Sequence, residues 1–281
     1  MTVLRLMRWR LALLNGVSAM SGYLLFPTAI EVSHLLAAFG GTVLLASAGS
    51  AFNQVLERDI DGQMERTKDR PLPTGAMSVQ AAILTGTSAL LIGLLWVGML
   101  GGWQAVIPGV AALIWYIAVY TPLKRRTSMA LLLGALCGAM APMIGWALAG
   151  GEPVDHRVLL LAGLMFLWQV PHFWLLQRRH RSDYLTVRMP LLSEGVFENN
   201  GNSFFALWMV ALAAGAMLLP LFGVVPQQRG LFCLLFLLPI VITMFLRTDK
   251  SRYICINLFP LLLTLVIWFM ASASGVQHLN R

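Results

Sequence analysis

Three polar side chains recur at every fourth position after an apolar run: Asn53, Glu57 and Asp61. On an α-helix each such step turns the chain by about 40° and rises about 6 Å, so the three side chains form one stripe. Asp59 falls on the other side of the same helix. Two carboxylates and an amide suit Mg²⁺, which takes oxygen ligands, keeps several waters and is usually completed by substrate phosphates. The stripe predicts a magnesium site for a phosphorylated ligand.

Basic residues follow the stripe, because Arg66, Lys68 and Arg70 come within reach of an anion bound there. The alternative interpretation is a solvated loop whose charges pair with one another. The stripe, however, extends directly from a segment apolar enough to cross a membrane, and ionisable groups at such a position are functional candidates by default. We therefore favour an anion-binding site at the membrane boundary.

A second polar group interrupts a later apolar segment. Gln169 and His172 are three positions apart and share a helix face, and Pro171 kinks that helix by freeing a backbone carbonyl. Trp168 and Trp174 supply flat apolar surfaces beside them. The spacing alone leaves two interpretations open: a binding pocket, or an interfacial aromatic belt with one satisfied histidine.

The composition of the chain indicates which kind of fold holds these groups in place. With 58% hydrophobic and 11% charged residues among 281, and a mean hydropathy of +0.75, the chain is not an ordinary water-soluble domain. We predict an all-α, polytopic membrane protein, a single domain over residues 1–281 whose nine transmembrane helices surround a central cavity open toward the cytoplasmic side. The predicted spans are about 11–30, 33–55, 77–99, 103–121, 129–149, 157–177, 203–223, 230–246 and 254–275.

The distribution of positive charge agrees with nine spans. With a cytoplasmic N-terminus, seventeen of the twenty Lys and Arg residues lie in cytoplasmic segments, as the positive-inside rule requires. The net charge of +8 is scattered over short loops, which argues against a nucleic-acid partner. The first apolar segment lacks a small-residue cleavage site and predicts a retained helix. Cys137, Cys233 and Cys255 lie in apolar runs and are expected to be buried thiols.

Several motifs resemble those of one enzyme family. The pattern Asn-x-x-x-Glu-x-x-x-Asp-x-x-Met-x-Arg-Thr-x-x-Arg-Pro-Leu over residues 53–72 resembles the first aspartate-rich motif of the UbiA-type intramembrane prenyltransferase superfamily. Within it, the sequence is similar to the protoheme IX farnesyltransferase (haem O synthase) family, whose Trp-Gln-x-Pro-His-Phe-Trp motif matches residues 168–174. The segment 120–127 resembles that family's Tyr-Thr-x-x-Leu-Lys-Arg-x-Thr loop. Departures are Glu57, where many members of the superfamily have Asp, and Ala130, where the family usually has Asn. The usual Lys-Pro-Arg opening is Met7-Arg8-Trp9-Arg10 here, and the segment 187–192 lacks the family's usual glycine.

The resemblance implies a reaction. Farnesyl from farnesyl diphosphate would be transferred, with Mg²⁺ as cofactor, to a vinyl group of protoheme IX, and water would add to give haem O. Haem would be a substrate, and membrane lipid would border the cavity. A haem A synthase or a terminal oxidase assembly is a further expected partner. The expected location is the bacterial cytoplasmic membrane, with the N-terminus and active-site loops cytoplasmic.

The resemblance also assigns roles to residues. Asn53, Glu57 and Asp61 would hold the metal, and His172 would contact the haem iron or position the water. Asp183 is all that remains of a second acidic cluster and would support the metal or the diphosphate. Lys124 and Arg125 would neutralise the departing diphosphate, unless they are ordinary positive-inside anchors. The expected substrate-binding residues are Arg66, Arg70, Tyr120, Lys124, Arg125, Trp168, Gln169 and Asp183.

Three alternative functions stay open at this stage. Another UbiA-type prenyltransferase, with a quinone or lipid acceptor, would share the first motif, but the 168–174 motif argues against it. A transporter also places charge among membrane helices, but this charge lies at the membrane boundary and the chain shows no internal symmetry. A haem-binding assembly protein is the third. Magnesium-dependent release of diphosphate would separate an enzyme from the last two.

Overall fold

The computed structural model describes residues 1–192, 201–222, 224 and 233–279, with the side chains of 233, 234, 236 and 272–279 left out. Every regular element among these residues is a helix, which confirms the all-α prediction. The helices are α1 (Thr2–Leu6), α2 (Trp9–Leu25), α3 (Val32–Asp61), α4 (Val79–Leu123), α5 (Ala130–Leu148), α6 (His156–Arg179), α7 (Arg181–Thr186), α8 (Gly201–Leu221), α9 (Cys233–Phe245), α10 (Asp249–Ile256) and α11 (Leu258–Leu279).

Six helical segments of the described chain are long and apolar enough to cross a membrane. They are α3, α4, α5, α6, α8 and the stretch Asp249–Ala271, which joins α10 to the start of α11. The chain is therefore a multi-pass integral membrane protein, while the predicted number of nine spans stays a prediction. Residue 223 of the predicted span 203–223 and residues 230–232 of the predicted span 230–246 lie outside the described residues, as do the side chains of Cys233 and of residues 272–275.

Helix α4 is interrupted at Gly102, whose backbone has φ 60° and ψ −163°. Only glycine adopts such a conformation readily, since it has no Cβ to collide with the neighbouring carbonyl oxygen. The interruption falls between the predicted spans 77–99 and 103–121. Gly102 is thus the point at which the helical direction can change within the 45 residues of α4.

The helices form a closed ring in chain order. Each of α2, α3, α4, α5 and α6 packs against the next, α6 packs against α8, and α8, α9 and α11 continue the ring back to α2. Helix α2 also lies directly on α5, because Gly22 meets the backbone of Pro142 and Gly145 meets the backbone of Ala19. A Cβ at either glycine would overlap a carbonyl oxygen. Small residues at these positions therefore let the helices approach closely.

Polar segments from distant parts of the chain meet at one end of this ring. Gln54 Nε2 donates to the carbonyl oxygen of Leu6 at 2.5 Å, which fixes the N-terminal segment beside α3. The loop after α3 is bonded to Asp183 on α7, and the loop after α4 is bonded to Glu57 on α3. The end of the ring that carries the charged motifs is therefore built from four separate segments.

Candidate active site

A cavity of about 510 Å³ lies inside the helical ring and opens among the polar segments. Most of the residues that the sequence predicts for the site line this cavity. Those that line it are Asn53, Glu57, Asp61, Arg66, Arg70, Tyr120, Lys124, Gln169 and His172. Trp168, Arg125 and Asp183 are not among the lining residues.

The predicted stripe lies on the last turns of α3 and faces the cavity. Asn53, Glu57 and Asp61 are 1%, 3% and 2% exposed, whereas the side chain of Asp59 is 59% exposed. Asn53 Nδ2 donates to Thr121 Oγ1 at 3.1 Å, and Thr121 Oγ1 donates to the carbonyl oxygen of Tyr116 at 2.8 Å. The amide of Asn53 is thus fixed by a hydroxyl that is itself fixed by α4.

The Tyr116 carbonyl belongs to a π-helical turn near the end of α4, residues Trp115–Tyr120. Such turns insert one residue into an α-helix and are frequent at functional sites. Tyr116 and Tyr120 stack with ring centroids 5.7 Å apart, and both line the cavity. Tyr120 also packs against Gly134 of α5, where a Cβ would touch its ring.

Each stripe carboxylate has a basic partner. Lys124 Nζ lies 2.6 Å from Glu57 Oε2, and Arg70 Nη1 lies 2.6 Å from Asp61 Oδ2. Burial lowers the pKa of Lys124, although its contact with Glu57 opposes the shift. Burial likewise lowers the pKa of Arg70, and nearby Arg8 acts in the same direction. The charges cancel within each pair, while Arg8 and Arg66, which also line the cavity, add positive charge at this end.

Two buried atoms near these pairs are left without a partner in the described structure. They are Glu57 Oε1, an acceptor, and Arg66 Nε, a donor. An unpartnered buried polar atom costs about 1–3 kcal/mol unless a ligand or water satisfies it. This end of the cavity is therefore suited to a ligand with anionic oxygens and to a cation that bridges it.

The oxygen atoms of the stripe fit Mg²⁺ chemically, because a free carboxylate oxygen on Glu57 lies between a buried amide and a second carboxylate. Among the residues that the structure describes, no group of three or more His, Cys, Asp or Glu side chains could hold a metal alone. The stripe thus fits an ion whose coordination is completed by a ligand, such as a diphosphate.

Arg125 lies outside the cavity. Its Nη1 and Nη2 donate to the two carboxylate oxygens of Asp59, each at 2.9 Å, and Nη2 also donates to the carbonyl oxygen of Leu56 at 3.0 Å. The hydrogen bond to Asp59 raises the pKa of Arg125. The predicted contact between Arg125 and a diphosphate would require this surface pair to open.

Asp183 is 5% exposed and acts on the site through the backbone. Its Oδ1 and Oδ2 accept hydrogen bonds from the amide nitrogens of Glu65 and Arg66, each at 3.1 Å. The carboxylate therefore holds the loop that carries Arg66 over the cavity. Sequence reasoning assigned Asp183 to support of the metal or the diphosphate, and in the structure its carboxylate faces the loop that carries Arg66.

The other predicted half of the site lies on α6. The imidazole of His172 is surrounded by three aromatic rings, those of Trp168, Phe173 and Tyr253, at centroid distances of 4.9, 5.4 and 5.0 Å. Trp168 Nε1 donates to the carbonyl oxygen of Ile256 at 2.8 Å, which ties α6 to the end of α10. Trp168 thus supports the histidine from behind instead of lining the cavity.

Gln169 lies at a close contact between α5 and α6. A Cβ built on Gly138 of α5 would overlap the side-chain amide of Gln169. Oε1 of Gln169 and Nδ1 of His172 are buried and have no hydrogen-bond partner among the described groups. The α6 wall therefore offers polar atoms inside a largely aromatic and aliphatic surface.

Sequence reasoning missed several lining residues. Sequence reasoning gave Arg8 no role in the site, yet it lines the cavity and has a left-handed backbone at φ 47°. Tyr116, Tyr253 and Asn257 also line it and were not assigned, and no role was given to Thr121, which holds the Asn53 amide without lining the cavity. Tyr253 and Asn257 belong to spans in which no motif was identified. A polar residue inside an apolar span, as at Asn257, was the one signal available.

Comparison with known proteins agrees with this geometry. The model of the UbiA prenyltransferase family matches residues 16–254, and the chain belongs to that family of membrane enzymes. A protoheme IX farnesyltransferase from Geobacter sulfurreducens is 48% identical over 265 residues, covering 93% of this chain and 96% of the relative. Another, from Nitratidesulfovibrio vulgaris, is 36% identical and covers 78% of this chain and 76% of the relative.

Solved structures support the fold. A UbiA homologue from Aeropyrum pernix K1 in its apo form superimposes with a TM-score of 0.77 at 18% identity, covering 97% of this chain and 99% of the other. A UbiA homologue from Archaeoglobus fulgidus bound to GPP and Mg²⁺ gives a TM-score of 0.73 at 17% identity, with coverages of 95% and 99%. These similarities establish the arrangement of the helices.

Proposed function

We propose that this protein transfers farnesyl from farnesyl diphosphate to a vinyl group of protoheme IX, with addition of water, to give haem O. The observation that carries the proposal is a single cavity with one charged end and one aromatic end. At the first, Glu57 and Asp61 each carry a basic partner; at the second, His172 lies among three aromatic rings. The 48% identity to a protoheme IX farnesyltransferase supports the choice of acceptor.

The charged end would bind and release the diphosphate. Arg66 offers an unpartnered donor, and Lys124 and Arg70 lie 2.6 Å from the carboxylates that they neutralise. When Asn53, Glu57 and Asp61 hold Mg²⁺, the ion supplies further positive charge to the leaving group. As negative charge develops on the departing oxygen, the side chains of Arg66, Arg70 and Lys124 stabilise it from positions that the fold has already set.

The acceptor half would orient the porphyrin. The terminal vinyl carbon attacks C1 of the farnesyl chain as the bond from C1 to the diphosphate oxygen breaks. The cation that is left on the inner vinyl carbon then takes up water, and the added water loses one proton. Phe173 and Tyr253, which line the cavity beside His172, exclude other water from this end of it.

The proposal includes the arrangement in the membrane. We propose nine spans in a single domain, in which α2, the two parts of α4 on either side of Gly102, and α9 cross in addition to the other long helices. The cavity would open toward the cytoplasm of a bacterial cytoplasmic membrane, in agreement with the charge distribution. A haem A synthase or a terminal oxidase assembly would receive the product.

Purified protein tests the proposal directly. With farnesyl diphosphate, haem and Mg²⁺, we expect diphosphate release that depends on both haem and the metal, and a haem product heavier by farnesol. Removal of the metal with a chelator should stop release, and added Mg²⁺ should restore it. Equal release with a quinol in place of haem, or prenylation of the quinol alone, would identify a different acceptor.

A further inference from the structure

Two buried acceptor atoms come together at the aromatic end of the cavity. They are Nδ1 of His172 on α6 and Oδ1 of Asn257, between α10 and α11, and neither has a hydrogen-bond partner within the part of the chain that the structure describes. Both residues line the cavity, and His172 is 9% exposed. The side chain of Asn257 lies close enough to the imidazole to interact with it. The two residues are therefore close enough for one small donor molecule to bond to both, in place of a long direct hydrogen bond between them.

The orientation of Asn257 is fixed by its surroundings. Its Nδ2 donates to the carbonyl oxygen of Tyr253 at 2.7 Å, so the amide nitrogen is occupied and Oδ1 is the free atom. The preceding carbonyl, that of Ile256, accepts from Trp168 Nε1 at 2.8 Å. Tyr253 in turn packs on His172 with ring centroids 5.0 Å apart. Helices α6 and α10 thus hold both acceptors in place.

The chemistry of the pair favours water over other donors. Two unmade hydrogen bonds in an apolar site cost about 1–3 kcal/mol each. A buried water typically makes two to four hydrogen bonds and can donate two. His172 Nδ1 accepts when the ring proton is on Nε2, and the amide oxygen of Asn257 always accepts. One water can therefore donate to both residues while its lone pair faces the cavity.

We propose that His172 and Asn257 hold the water that adds to the haem cation, an inference that rests on the proposed function. The oxygen of this water forms a bond to the inner vinyl carbon, and one of its protons passes to Nδ1 of His172. The electron pair for the new bond comes from the water, so no oxidant or reductant is needed. In the absence of this water, the same cation loses a proton from the adjacent carbon and becomes an alkene.

Asn257 therefore determines the outcome of the reaction more than its rate. The variant Asn257→Leu removes the acceptor but keeps a similar volume. We expect it to farnesylate haem while the ratio of hydrated to anhydro product falls by about tenfold, the effect of losing roughly one hydrogen bond. Asn257→Asp replaces the amide by a carboxylate, which still offers an acceptor oxygen, and should keep the wild-type ratio.

Asn15 on α2 offers a matched control. It also lines the cavity, and its Nδ2 donates to the carbonyl oxygen four residues earlier, that of Leu11, at 2.9 Å. Asn15→Leu removes the same chemical group from a different helix and should leave the product ratio unchanged. The products are separated by mass, because the anhydro haem is lighter by one water, and the oxygen is traced with isotope-labelled water.

Each outcome decides a different question. An unchanged ratio in Asn257→Leu overturns the proposal, as does a loss of haem binding, which would make Asn257 an acceptor-binding residue. Loss of farnesyl diphosphate binding in Asn257→Leu would indicate misfolding. In that case Asn257→Ser, which has a shorter side chain, should show the same fall in the ratio of hydrated to anhydro product. Failure of the wild-type protein to farnesylate haem would instead refute the proposed function itself.

Discussion

Two neighbouring aspartates on α3 should respond very differently to the same substitution. Asp61 is 2% exposed, lines the cavity and pairs with Arg70 at 2.6 Å, whereas the side chain of Asp59 is 59% exposed and pairs with Arg125 outside the cavity. Asp→Asn keeps the size of either side chain and removes only its charge. The comparison therefore isolates what the charge does at each position.

The expected magnitudes differ by more than tenfold. An exposed ion pair contributes about 0–1 kcal/mol, so Asp59→Asn should change turnover by less than about fivefold. A buried group that stabilises charge during the reaction is worth about 10²–10³ in rate, so Asp61→Asn should lower turnover by at least about a hundredfold. Diphosphate release per mole of membrane-inserted protein measures both.

A second variant separates catalysis from folding. Removing one partner of a buried pair leaves Arg70 uncompensated, which can destabilise the protein by about 3–5 kcal/mol. The double variant Asp61→Asn with Arg70→Gln removes that charge too, and we expect it to insert normally and stay inactive. Recovery of activity in the double variant, or equal losses for Asp59→Asn and Asp61→Asn, would refute the assignment of Asp61 to the metal end of the cavity.

Three further substitutions test other parts of the site. His172→Phe should abolish haem farnesylation but preserve farnesyl diphosphate binding, measured separately on purified protein; unchanged turnover would make the histidine a packing residue. Gly138→Ala should push the Gln169 amide from its place and weaken haem binding, with diphosphate binding as the unaffected control. Asp183→Asn loses one of two acceptors for the loop and should weaken farnesyl diphosphate binding by about tenfold through Arg66; a loss of metal affinity alone would instead place Asp183 at the ion.

The local geometry of the stripe could be predicted because helical periodicity alone decides it. The four-residue spacing places Glu57 and Asp61 on one face and Asp59 on another, and burial in the structure follows that division. The all-α class followed from composition in the same way, since an apolar chain must satisfy its backbone hydrogen bonds internally in lipid.

Contacts between distant segments could not be predicted in this way. Lys124 reaches Glu57 across 67 positions and Asp183 reaches Glu65 across 118 positions, and no local pattern encodes such distances. Two adjacent basic residues have different partners, because Lys124 is directed into the cavity and Arg125 outward to Asp59. That difference depends on how the loop after α4 packs on α3.

Irregular backbone accounts for other omissions. The π-helical turn at Trp115–Tyr120 is not visible in the residue pattern. Its Tyr116 carbonyl nevertheless accepts a hydrogen bond from the Thr121 hydroxyl, which in turn holds Asn53. Asn257 was missed because it is an isolated amide in an apolar span with no neighbouring motif. Its relation to His172 depends on how α10 packs against α6.

The most direct test of the central claim is the mass of haem extracted from cells that express this protein without other haem-modifying enzymes. We expect haem carrying a hydroxyethylfarnesyl group, and unmodified haem in cells that express Asp61→Asn at the same membrane level. Unmodified haem alone from cells with normal amounts of the wild-type protein would contradict the account.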